Sequence, residues 1–110
     1  IKDDYTIMNQ EPFGPLVPIL SFKDFDEVVE RANNNDLGLC SYIYTNSMEK
    51  AHKASELMET GCVAVNTPTV AIAEAPFGGI KQTGYGREGG SMAIKDYLNI
   101  KYTHFGISYE

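Results

Sequence analysis

Apolar positions along the chain gather in short runs separated by polar, turn-forming clusters, and the spacing within the runs switches between strand-like and helix-like periods. Tyr5 to Met8 reads as a stretch of sheet. Leu16 to Phe22 is an apolar run bounded by Pro12, Gly14 and Pro15, which suits a strand buried on both faces. Asp24 and Glu27 then stand at the spacing of a capping box. Phe25, Val28, Val29 and Ala32 recur on one helical face until the cluster Asn33-Asn34-Asn35-Asp36 ends it. Leu39 to Tyr44 predicts a second strand, stopped by Thr45 and Asn46. Asn46 and Glu49 repeat the capping spacing, and Met48, Ala51, Ser55 and Met58 share a face up to Gly61, expected to end the helix with a positive φ. Cys62 to Val65 is the third strand and Asn66 closes it.

Strand, helix, strand, helix, strand with short links is the signature of βαβ units, whose crossovers are right-handed and whose strands run parallel. The predicted fold class is therefore α/β, with residues 16–66 forming part of an open parallel βαβαβ sheet. Ligands of such sheets sit beyond the carboxyl ends of the strands, which makes the loop from Thr67 to Ala75 the expected functional surface. Its Thr, Ala, Val and Ile content describes an apolar wall rather than an acid–base centre. From Pro76 to Gly90 the chain is rich in glycine, as tight turns and close backbone approach require. A short helix from Ser91 to about Leu98 follows, and Ile100 to Ile107 returns to β-formers.

With 110 residues, 43% of them hydrophobic, the chain is long enough for one compact domain with a core. A formal net charge of -6 and nine scattered Lys and Arg residues exclude an electrostatic grip on nucleic acid or an anionic membrane. No stretch approaches the ~20 apolar residues of a membrane span, and nothing resembles a signal peptide, so the expected home is cytoplasmic. The opening Ile-Lys-Asp-Asp, in place of Met, reads as a cut through a longer protein.

Gly84-Tyr85-Gly86-Arg87-Glu88-Gly89 fits G-x-G-x-x-G, but no strand feeds it and too little chain follows for a second strand, so a structural turn is the better reading. His52 and His104 are isolated, and Cys40 and Cys62 lie far apart in sequence without metal-ligating companions, so no metal site is expected. A disulfide between the cysteines is open in principle, yet two cysteines inside apolar strands read as reduced core residues, and neither has a base beside it. In Gln10-Glu11-Pro12-Phe13-Gly14-Pro15 a carboxylate and an aromatic ring project from a rigid turn, and either ordinary turn chemistry or a ligand contact explains them.

Taken together, Glu11-Pro12-Phe13-Gly14-Pro15, Glu27-Val28-Val29-Glu30-Arg31-Ala32-Asn33, Leu37-Gly38-Leu39, Gly61-Cys62-Val63-Ala64-Val65-Asn66, Pro76-Phe77-Gly78-Gly79 and Gly84-Tyr85-Gly86-Arg87-Glu88 resemble, in order and spacing, the C-terminal part of the aldehyde dehydrogenase superfamily. The resemblance implies that residues 1–98 are the end of a catalytic domain and residues 99–110 an oligomerisation strand. Such enzymes form a thiohemiacetal on a cysteine, pass hydride to NAD or NADP, and hydrolyse the thioester with help from a glutamate. Both of those residues belong upstream of the E-x-F-G-P motif, so the chain alone is expected to be inactive.

The same resemblance implies that Glu11 binds the ribose hydroxyls on the nicotinamide side, that Phe13 lies beside the nicotinamide, and that Thr67 to Ala75 line the aldehyde tunnel. The stretch Glu74 to Gly84, with Asp96-Tyr97-Leu98 and Lys101-Tyr102, is similar to the succinate-semialdehyde dehydrogenase branch. That branch places a Ser in the loop where this chain has Ala71, and Thr67 or Thr69 is the expected replacement for its hydroxyl. The implied partners are a small aldehyde and further subunits of the same protein. Two rival readings are a stand-alone assembly module without catalysis, which has no use for Glu11 and Phe13, and thiol redox chemistry at Cys40 or Cys62, which lacks C-x-x-C spacing.

Overall fold

The computed structural model describes residues 1–108. Its elements are α1 (Thr6–Asn9), α2 (Phe25–Asn33), β1 (Leu37–Gly38), β2 (Cys40–Ile43), α3 (Met48–Leu57), β3 (Cys62–Val65), β4 (Ile80–Lys81) and a 3-10 helix over Ala93–Tyr97. Strands β2 and β3 pair in parallel, with Cys40 opposite Cys62 and Ile43 opposite Val65. They are joined through α3, which is the expected α/β crossover. Strand β1 pairs antiparallel with β4, bringing Leu37 against Lys81 and Gly38 against Ile80.

Helix α2 begins where the capping spacing places it. The Asp24 carboxylate accepts from the Glu27 backbone N–H at 2.9 Å, while Glu27 reaches back to accept from the Lys23 N–H at 2.8 Å. Two otherwise orphaned donors are thereby satisfied. Asp24→Ala is expected to destabilise the protein by about 1 kcal/mol, read as a lower urea midpoint with an unchanged slope. An unaltered midpoint would mean that solvent caps the helix equally well. Helix α3 is capped one residue later than expected, by Ser47, whose hydroxyl accepts from the Lys50 N–H at 3.3 Å. Asn46 stands outside it.

Three segments differ from the sequence expectation. Tyr5 to Met8 is not sheet: the chain turns into the short helix α1 at Thr6, and Asn9 fastens it by donating to the carbonyls of Asp3 and Tyr5. Leu16 to Phe22 forms no ladder. Pro18 interrupts the run and lacks the N–H that a central strand must donate. Arg31 ties this segment to α2 instead, its guanidinium donating to the Ser21 carbonyl at 2.9 Å and pairing with Asp3 at 2.8 Å and Glu27 at 3.1 Å. The hydrogen bond to Asp3 holds that guanidinium above its ordinary pKa. Gly61, finally, does not end α3 in a left-handed turn, because the helix stops at Leu57 and Gly61 has no positive φ.

The expected core is also largely missing. Among the described residues the buried apolar side chains are Ala51, Ala54 and Ala64, whereas Val17, Ile19, Tyr44 and Met48 stand exposed. The radius of gyration is 20.0 Å, against about 13 Å for a compact domain of this length. Helices and strands are in place, but much of the surface they would cover one another with is uncovered.

Candidate functional site

Asn66, at the carboxyl end of β3, takes the left-handed conformation at φ 55. Its side-chain oxygen accepts from the Thr45 N–H and its amide donates to the Thr45 carbonyl, both at 2.9 Å. This two-point clasp locks the carboxyl ends of β2 and β3 together, and the chain leaves it directly into the loop expected to carry function. Within that loop the Thr67 hydroxyl accepts from the Thr69 N–H at 3.1 Å. Thr67 is thus half-buried and spends one lone pair shaping its own turn, whereas Thr69 and Ala71 are exposed.

The far end of the loop is anchored by the glycine-rich segment. Phe77 and Glu88 exchange both backbone hydrogen bonds at 2.7 Å, and the Gly90 N–H donates to the Ala73 carbonyl at 2.8 Å. Gly89 and Gly90 have φ of 70 and 60, and a Cβ on Gly89 would stand 2.8 Å from the Ala75 oxygen, so this turn needs glycine on both counts. Arg87 braces it from inside, donating to the carbonyls of Gly79 at 2.9 Å and Gly86 at 2.7 Å, while Asp96 accepts from the Arg87 N–H at 3.1 Å. The G-x-G-x-x-G stretch is therefore a backbone turn holding a loop. Its neighbour β4 is antiparallel to β1 and does not form the strand of a dinucleotide fingerprint.

Lys81 is a second anchor that sequence reading passed over. At φ 56 it sends its ammonium to the Asn33 and Asn35 carbonyls at the end of α2, at 2.9 and 3.2 Å, and to the Glu59 carboxylate at 2.6 Å. A cation there bonds the carbonyl of the last residue of α2 and that of Asn35 just beyond it, and opposes the negative end of the helix dipole. Neither Asn66 nor Lys81 could be recognised from residue type, because each role depends on a partner distant in the chain.

Glu11 and Phe13 lie on a separate turn, closed by the Gly14 N–H donating to Pro12 and the Leu16 N–H donating to Gly14. Phe13 is 97% exposed, and among the described residues no hydrogen bond engages the Glu11 carboxylate or joins this turn to the Thr67–Ala75 loop. An aromatic ring and a carboxylate held out by a proline-rich turn have no stabilising role within the described residues. A cleft of about 570 Å³ lies elsewhere, between α2, β2 and α3, and is lined by Phe22, Phe25, Val28, Tyr42, Ile43 and Met58 among others. It is a partly filled packing seam and contains none of the candidate site residues. No group of three or more metal-ligating side chains occurs among the described residues, and no described helix is long and apolar enough to cross a membrane.

The model of the aldehyde dehydrogenase family matches residues 1–103. The chain belongs to that family. It is 48% identical over 100 residues to 3-sulfolactaldehyde dehydrogenase of Pseudomonas putida, an alignment covering 91% of this chain and 21% of that protein. It is 42% identical over 101 residues to succinate-semialdehyde dehydrogenase [NADP(+)] of Escherichia coli K12, covering 92% of this chain and 21% of that one. The NAD+ complex of aldehyde dehydrogenase from Bacillus cereus superposes with a TM-score of 0.88 at 42% identity, covering 92% of this chain and 21% of that chain. The chain thus spans about one fifth of the length of the relatives it matches.

Proposed function

We propose that the protein to which this chain belongs oxidises an aldehyde, of the succinic semialdehyde kind, to a carboxylate with NAD or NADP as hydride acceptor in the cytoplasm. The observation that carries this reading is the exposed Glu11–Phe13 turn, a carboxylate and a ring presented outward by Pro12 and Pro15 with no partner among the described residues. Glu11 accepts the ribose hydroxyls and Phe13 bounds one side of the nicotinamide, since an ionised carboxylate is a strong double acceptor and an aromatic face restricts a flat ring. The relatives support either cofactor: the Escherichia coli enzyme is an NADP(+) succinate-semialdehyde dehydrogenase and the Bacillus cereus structure is an NAD+ complex. Thr67, Thr69 and Ala71 form the wall against which the aldehyde lies, with the exposed Thr69 hydroxyl available to a distal carboxylate. The cysteine nucleophile and the glutamate base are supplied by the part of the protein outside this chain, and the chain by itself is inactive.

Glu11→Gln in the intact protein tests the assignment. Gln keeps the size but loses the charge assistance of the hydrogen bonds, a difference of about 1.5 kcal/mol, or roughly tenfold. The expected result is a tenfold rise in cofactor KM or an equal fall in kcat, with the thermal midpoint unchanged. Wild-type kinetics with either cofactor would remove Glu11 from the site.

A further inference from the structure

We propose that Cys40 and Cys62 form a cross-strand dithiol site that takes up one equivalent of a peroxide oxidant and closes as a disulfide between β2 and β3. The two residues are direct register partners in the parallel pair, so their side chains leave the same face of the ribbon. Neighbouring strands stand about 4.8 Å apart, inside the roughly 4.4–6.8 Å range of Cα separations that a disulfide spans. Both thiols are free and half-buried among the described residues. The Cys62 sulfur lies 3.6 Å from the Gly78 carbonyl, to which it donates, a weak contact that a change of rotamer releases. Residues β2 and β3 are held in this register by the Asn66–Thr45 clasp at one end and by the Gly61 N–H bonded to Gly38 at the other. The pair is therefore preorganised by backbone and not by chance side-chain approach.

Burial, with the facing Cys62 side chain as a lesser cause, pushes the Cys40 thiol up, which disfavours Cys40 as the first attacker, and in the proposed step Cys62 attacks. The Cys62 thiol gives its proton to solvent and its sulfur attacks one peroxide oxygen. The O–O bond breaks, water leaves, and Cys62 carries a sulfenic acid. The Cys40 sulfur then attacks the Cys62 sulfur and loses its proton, the S–O bond breaks, and a second water departs. The two thiols have together lost two electrons and two protons, and the peroxide has gained them.

The test treats the intact protein with hydrogen peroxide, blocks remaining thiols, and maps peptides by mass spectrometry. Mapping reads these two positions whatever other cysteines the protein contains. The expected product is a monomeric chain in which the Cys40 and Cys62 peptides are joined with the loss of two hydrogen atoms, reversed by dithiothreitol and abolished in both Cys40→Ser and Cys62→Ser. In Cys40→Ser the sulfenic acid at Cys62 should persist long enough to be trapped by dimedone, and much less of that adduct should form at Cys40 in Cys62→Ser. Both thiols remaining reduced, separate sulfinic acids without a link, or cross-links only between chains would each overturn the proposal. Peptide linkage is read independently of aldehyde oxidation, so this outcome stands whether or not the proposed activity does.

Discussion

Gly61→Ala is expected to destabilise the protein by about 3 kcal/mol, the upper part of the range for overfilling a packed site. A Cβ at this position would collide with the Gly78 oxygen and come 2.8 Å from its carbonyl carbon and 2.9 Å from the Gly79 Cα. All three are backbone atoms, so no flexible side chain can swing aside. Neither can the backbone give easily, because the Gly61 N–H is bonded to the Gly38 carbonyl, and at Gly79 a Cβ would itself collide with the Thr83 side chain. Relief requires moving β3 away from the glycine-rich segment that anchors the Thr67–Ala75 loop. Gly14→Ala is the matched control: nothing lies within 4 Å of its would-be Cβ, and its midpoint should shift by less than about 0.5 kcal/mol. Urea denaturation of the two variants beside the wild type decides the matter. A Gly61→Ala midpoint equal to that of Gly14→Ala would show that β3 and Gly78 do not approach in solution as they do here.

The role of Gly61 marks where sequence reading stops. A glycine after a helical run satisfies the usual pattern of helix termination, and nothing local distinguishes it from a glycine that another strand's neighbour approaches closely. Local signals served well where the physics is local: the Asp24–Glu27 cap, the apolar face of α2 and the parallel β2–α3–β3 crossover were all legible. The α3 cap slipped by one residue because Asn46 and Ser47 are both good caps, and Ser47 rather than Asn46 reaches an orphaned donor. The strand expected at Leu16 to Phe22 rested on apolar content and overlooked Pro18.

Non-local pairings were invisible. Cys40 and Cys62 lack any motif spacing, yet the crossover sets them side by side. Asn66 looked like a strand terminator and is a clasp on Thr45. Glu11 and Phe13 became candidate site residues through family resemblance alone, since a carboxylate and a ring on an exposed turn are individually unremarkable. The expectation of a self-contained core came from length and composition, which count apolar residues without saying what covers them. Among the described residues the buried apolar side chains are three alanines, so the apolar residues counted in the composition are left largely uncovered by this chain itself.

Much of that uncovered surface lies after the 3-10 helix, and we propose that the intact protein assembles into an oligomer through this tail, so that deleting Lys101 to Glu110 should dissociate it before it unfolds the subunit. From residue 99 to residue 108 the chain has no strand partner among the described residues, while Tyr109 and Glu110 lie outside them. Ile100 is 94% exposed, Tyr102 84%, Phe105 82% and Ile107 75%. β-Forming residues with bare backbone N–H and C=O groups make an edge that a second strand can complete. A strand returning to its own sheet is the competing arrangement, since consecutive elements usually pack together. Among the described residues there is no such return, and a closed symmetric assembly would offer each tail an equivalent edge on a neighbour. Burial of a large apolar side chain contributes about 1.5–3 kcal/mol, so removing three of these four forfeits at least ~4 kcal/mol of association energy. Each ~1.4 kcal/mol is a factor of ten, which raises the subunit dissociation constant roughly a thousandfold. Light scattering across a dilution series should therefore report smaller species for the truncated protein at concentrations where the full-length protein remains assembled, with the far-ultraviolet dichroism of the two alike. Assembly that survives the deletion at every dilution would place the tail against its own subunit and leave the oligomer contact to another surface.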